Sequence, residues 1–178
     1  DRCSTLSEQV MAANEWHHVA GTFDGSSVKV FVDGLQKASS PCGGPVTPSP
    51  FALNIGRGSY DPSRLFDGAI DEIRIWNVAR TQAEIGVDMN RALTGSESGL
   101  VAYWPFDEGS GSIAHDQTAN GNHGSLFGPT WDAASAPFLD DGRVAVYTVD
   151  ESGFSGTPVT VDDGLHAKHA APPDVACN

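Results

Sequence analysis

The sequence predicts an all-β protein of antiparallel strands with one short helix. Three observations carry this. There are 20 Gly and 11 Pro in 178 residues, with 39% hydrophobic and only 19% charged residues, a balance that suits many turns between short strands. Val28, Val30 and Val32 alternate with Lys29, Phe31 and Asp33, the period of a half-buried strand. Asp-Gly dipeptides at 24–25, 33–34 and 67–68 flank such runs, and Gly tolerates the positive φ that a tight hairpin turn requires.

Taken in order, residues 16–38 read as two strands joined by Asp24-Gly25, with a third after Asp33-Gly34. Residues 39–50 hold four prolines, two glycines and Cys42 and read as a loop. "FALNIGRG" (51–58) is the next strand, followed by a polar loop and the strand "FDGAIDEIRIWN" (66–77). Side chains on a strand alternate between faces. Ala69, Asp71, Ile73 and Ile75 therefore share one face, and Ile70, Glu72, Arg74 and Trp76 the other. Glu72 and Arg74 are read as facing solvent. Asp71 shares a face with two isoleucines, where a carboxylate needs a donor, a cation or a metal.

The helix is expected near residues 81–92, with Thr81 and Glu84 at capping-box spacing and Gly86 weakening its middle. "TGSESG" (94–99) reads as a polar linker, and "LVAYWPF" (100–106) as a strand. Because Tyr103 and Trp104 point opposite ways, one of them is expected in the core. The loops "DEGSGS" and "DQTANGNHG" and a short strand near 125–127 follow. Residues 139–164 suggest two more strands, "RVAVYTV" and "TPVTV", before an irregular tail from His166.

A formal net charge of −13 repels polyanions, which argues against nucleic acid and anionic membrane as partners. Glycans, basic protein patches and divalent cations remain open. No run of eighteen apolar residues occurs, so no membrane insertion is expected. The three cysteines, Cys3, Cys42 and Cys177, lack zinc spacing. One disulfide plus a spare thiol suits an oxidising compartment, with Cys3–Cys42 the more natural pair. With neither an initiator Met nor a signal peptide at its start, the chain reads as a mature or excised piece of something longer.

Together, "WHHVAGTFDGSSVKVFVDG", "LNIGRG", "FDGAIDEIRIWNVARTQAEI" and "GLVAYWPFDEGSGS…DQTANGNHGSLFGPTW" closely resemble laminin-G-like domains of the concanavalin A-like lectin and glucanase group. The resemblance covers roughly residues 10–92 and 99–138. It implies a two-sheet antiparallel jelly-roll β-sandwich. It also implies a secreted or cell-surface setting, since members of the group are mostly extracellular modules.

The order departs from the family, whose "LVAYWPFDEGSG" portion begins a domain and whose "WHHVAGTFDG…FDGAIDEIRIW" portion ends it. Here residues 1–95 hold the ending, 99–138 the beginning, and 139–178 match neither. The chain straddles two tandem domains, or is a permutant closing on itself, or completes a neighbouring copy. Closure within one chain is favoured because it needs no partner, and the eight residues from Ala92 to Gly99 span up to roughly 26 Å.

The resemblance further implies a structural calcium ion, held by the Asp71 side chain and carbonyls of the loop after Phe106, with Asp107 and Glu108 nearby; calcium takes six to eight oxygens. Catalysis is not expected. Retaining glycosidases need two carboxylates about 5–5.5 Å apart, whereas Asp71-Glu72 and Asp107-Glu108 are adjacent pairs pointing to opposite faces. Nucleophile-elbow and phosphate-loop motifs are missing as well. Tyr60, on a loop, and Trp76 are the candidate rings for ligand contact. The expected function is a non-catalytic extracellular module binding glycan or protein. The rivals are a subunit of a filament built by strand exchange between copies, and an accessory domain of a secreted glycoside hydrolase.

Overall fold

The computed structural model describes residues 5, 11–12, 15–44, 51–58, 61 and 63–132, and the backbone of 146–148. The fold is all-β and chiefly antiparallel with one short helix, consistent with a concanavalin A-like sandwich. Strands β1 (Val19–Phe23), β2 (Ser27–Val32) and β3 (Leu35–Pro41) form a meander. The β2–β3 turn has positive φ at both Asp33 (51°) and Gly34 (74°), the geometry whose twist suits a two-residue hairpin. The Asp33 carboxylate also ties the turn back to β1, accepting from the His18 N–H at 3.1 Å and meeting His17 Nδ1 at 2.9 Å.

Strand β4 (Ile73–Trp76) pairs antiparallel with β5 (Leu100–Trp104) within the same chain, with Ile73 opposite Trp104 and Arg74 opposite Tyr103. Between the meander and this pair lies β8 (Val146–Thr148), parallel to both β1 and β4. The resulting sheet has the order β3-β2-β1-β8-β4-β5. A second, two-stranded sheet joins β6 (Ile113–Ala114) to β7 (Gly124–Ser125).

Helix α1 (Gln82–Asp88) carries the expected capping box: Thr81 accepts the Glu84 N–H and Glu84 reaches back to the Thr81 N–H. Seven residues are too few for a helix to hold in water by propensity. Burial of Ile85, at 3% exposure, contributes about 1.5–3 kcal/mol and fixes α1 on the sheet. Removing the cap should matter less: Thr81→Ala is expected to lower stability by about 1 kcal/mol, read as a small fall in the urea midpoint at unchanged slope.

Both faces of the β4–β5 pair are covered. On one, Trp76, Leu100 and Tyr103 pack with Ala20, Phe31, Ile85 and Leu93. On the other, Ile73, Ile75, Ala102 and Trp104 pack with Ala114, and Leu126 lies against them. Tyr103 and Trp104 are therefore both core residues, although they point opposite ways.

Several local expectations need correcting. Glu72 and Arg74 do share a face, but they are 2% and 0% exposed, because α1 and the segment after it cover the face read as wet. The strand expected from Phe66 begins only at Ile73, since Glu72 adopts φ 54° and interrupts the alternation. "FALNIGRG" forms no strand beyond one bridge, Arg57 to Leu65, and Phe51, Leu53 and Ile55 are exposed.

Strand β3 runs on to Pro41, into the segment read as loop, while 45–50 lie outside the described residues. The "TGSESG" linker is a structured turn. Glu97 accepts from the Thr94 and Gly95 N–H groups at 2.8 and 3.1 Å. The expected strand at 157–161 lies outside the described residues.

Candidate functional site

The densest concentration of ionisable groups lies under the β4–β5 pair. Arg74 donates to Glu72 Oε2 at 2.7 Å, and the Tyr103 hydroxyl reaches Glu72 Oε1 and Oε2 at 2.9 and 2.7 Å. The Arg74 guanidinium also donates to the carbonyls of Asp88 (2.5 Å) and Arg91 (2.7 Å). It thereby stitches the strand to the C-terminal end of α1, where the dipole favours a cation. The Asp88 carboxylate accepts from both Arg80 and Arg91, and Arg80 stacks over the Trp76 ring at 4.1 Å.

Burial governs the titration of these groups. It pushes Glu72 above its ordinary range, against the opposing hydrogen bonds from Tyr103 and Arg74. It also raises the Tyr103 hydroxyl, helped by the hydrogen bond to Glu72. His18, fully buried, is lowered to about 3, first by desolvation and then by the Arg74 charge. Neither of its ring nitrogens has a hydrogen-bond partner among the described residues. A carboxylate saturated by a guanidinium and a phenol, with no open face, is a clasp between elements rather than a poised acid or base.

The expected site residues are scattered around this clasp. Asp71 is buried at 9% exposure, and its Oδ1 accepts the Glu72 N–H at 2.9 Å. Asp107 lies on the surface, close enough to push the Glu72 carboxyl upward. Glu108 accepts the His115 N–H through Oε1 at 2.6 Å, while its Oε2 is buried without a hydrogen-bond partner among the described residues. Among the described residues no three His, Cys, Asp or Glu side chains converge as metal ligands.

Trp76 is corrected: at 2% exposure, with Arg80 across its face, it is a core ring and not a stacking surface. Tyr60 and Cys3 lie outside the described residues. Cys42 is disulfide-bonded.

The model of the laminin-G family described as the concanavalin A-like lectin/glucanases superfamily matches residues 3–86. Those residues are a laminin-G-like segment. It takes in β1–β4 and most of α1, just under half of the chain. Pappalysin-1 of Mus musculus is 38% identical over 80 residues, 42% of this chain and 5% of its own length. Pappalysin-1 of Homo sapiens is 36% identical over 80 residues, with the same shares. The chain thus spans about a twentieth of the length of these curated relatives. No solved structure matches.

The clasp residues Glu72 and Arg74 belong to the laminin-G-like segment, whereas Tyr103 lies beyond it. The sequence holds one signal for them. Opposite charges at i and i+2 flank the start of a strand that ends in Trp76 on the same face, and one salt bridge satisfies both.

Proposed function

We propose that this protein is a non-catalytic extracellular binding module that presents glycan- or protein-recognising loops on a laminin-G-like scaffold. The observation that carries the reading is the way five buried or half-buried polar side chains are committed to joining elements of the fold. Glu72, Arg74, Tyr103, Asp88 and Asp116 all hold strands, helix and loops together, as a scaffold requires and a poised acid–base pair does not. The Cys42 disulfide supports an oxidising, extracellular setting, and no helix among the described residues is long and apolar enough to cross a membrane. An array of neutral and acidic glycans tests the first arm, with cross-linking to cell-surface protein for the second. Retention without release of a sugar product is expected; product release, or no retention in either arm, would overturn the reading.

Calcium belongs to this proposal as a structural staple. The buried Asp71, and Glu108 Oε2 in the loop after Phe106, which has no hydrogen-bond partner among the described residues, are the groups that support it. It would be a site of few carboxylates completed by main-chain carbonyls. Excess calcium should then raise the melting temperature of the wild type, and EDTA should lower it. Asp71→Ala should melt lower and respond to neither. Equal melting with and without calcium in the wild type removes the metal from the proposal.

A further inference from the structure

Strand β5 is the last strand of the six-stranded sheet. Its outward backbone groups would normally stand ready to pair with a strand of another chain. Here the segment from Asp116 to Asn122 runs along that edge and occupies the Tyr103 N–H, the Tyr103 carbonyl and the Val101 carbonyl. Asp116 Oδ1 accepts the Tyr103 N–H at 3.0 Å, and the Tyr103 carbonyl accepts the Gln117 N–H at 2.8 Å. The Val101 carbonyl accepts from Asn120 Nδ2 at 2.8 Å, Asn122 Nδ2 at 3.1 Å and Thr118 Oγ1 at 3.2 Å. A carbonyl offers two lone pairs, so three donors leave an incoming N–H nothing to bind.

The segment is itself held rigid. Asp116 accepts from the Thr118 N–H and hydroxyl, both at 2.9 Å, and from the Asn122 N–H at 2.8 Å. His123 Nδ1 receives the Asp116 N–H at 3.1 Å. The neighbouring turn closes over it at Gly95, where a Cβ would come within 2.2 Å of the Gln117 carbonyl oxygen. Only one of these edge bonds joins main chain to main chain, Gln117 N–H to the Tyr103 carbonyl. In the others a side chain of the segment takes the part that a neighbouring strand's backbone would play.

We propose that Asp116–Asn122 is an edge cap that prevents β5 from pairing with a second copy of this chain, and that opening it turns the protein into a strand-adding one. The opposite edge, β3, is blunted by other means: a register shift opposite Val30/Phe31, Lys37 and the terminal Pro41. The side-chain cap is therefore what guards the β5 end of the sheet. The proposal is independent of the binding function proposed above.

The test compares the wild type with Asn120→Ala/Asn122→Ala, which removes two of the three donors to Val101 and leaves Asp116 in place. Sedimentation equilibrium measures self-association. Fluorescence polarisation measures binding of a labelled peptide of this chain's own Leu100–Phe106. The double variant should associate with itself, and bind the peptide, at least tenfold more tightly than the wild type. Should it fail to unfold cooperatively, Asn120→Ala alone, which alters an exposed amide, carries the peptide measurement with the same sign expected. Equal mass and equal peptide binding in variant and wild type would overturn the cap and leave the segment a stabilising stitch.

Discussion

Replacing Arg74 with Met should be among the most damaging single substitutions in this protein, lowering stability by about 3–5 kcal/mol. Arg74 is fully buried and is the cation that balances Glu72, itself 2% exposed. Its removal leaves a buried carboxylate with only the Tyr103 hydroxyl as donor, and frees the Asp88 and Arg91 carbonyls that the guanidinium had bound. Tyr103→Phe removes one hydrogen bond to a charged group and should cost less, about 1.5–3 kcal/mol. Arg74→Met combined with Glu72→Leu should recover much of the single-variant loss, because the unpaired charge is then gone and a buried pair exchanged for apolar groups is often near neutral. Urea midpoints at neutral pH report all three. A loss under about 1 kcal/mol for Arg74→Met would mean that water reaches the pair and that the clasp is ornamental.

The second large effect is on acid stability, and it comes from His18. Its ring is held at about 3 in the folded chain against an ordinary 6.5, by desolvation and the Arg74 charge, with Asp33 opposing. Between those values the unfolded chain binds a proton that the folded chain refuses. Stability contributed by the neutral ring is therefore fully present above 6.5 and declines as pH falls below it, by up to about 1.4 kcal/mol per pH unit.

From 6.5 to about pH 5 the loss is roughly 2 kcal/mol. Glu72 acts with the opposite sign. Its raised carboxyl binds a proton more readily in the folded state, which relieves part of the loss as pH falls. The lowered carboxyls of Asp116, Glu97 and Glu84 contribute only near and below the ordinary carboxylate range. His18→Leu should flatten the slope of stability against pH between 5 and 6.5, and Glu72→Gln should steepen it. An unchanged slope in His18→Leu would assign the acid sensitivity to another group.

The class of this fold and most of its elements follow from local signals in the amino-acid sequence. Period-two alternation located β2, the Asp24-Gly25 and Asp33-Gly34 dipeptides located the turns on either side of it, and the Thr81–Glu84 spacing located the start of α1. These signals are local: each depends on backbone geometry within a few residues, so a neighbour far along the chain cannot alter it. The laminin-G-like resemblance was legible for the same reason, because its motifs are strands and turns.

Which faces are dry depends on how the elements pack. Alternation states that Glu72, Arg74 and Trp76 share a side, but not that α1 and Leu93 lie over it. Glu72 and Arg74 therefore read as a solvated pair when they are a buried clasp, and Trp76 read as a ligand ring when it is core. The same holds for "DQTANGNHG", which in sequence is turn chemistry. Its Asp, Thr and Asn side chains acquire their role as an edge cap only because β5 ends the sheet beside them. Burial and edge position are properties of how distant segments meet, and no short stretch of chain encodes them alone.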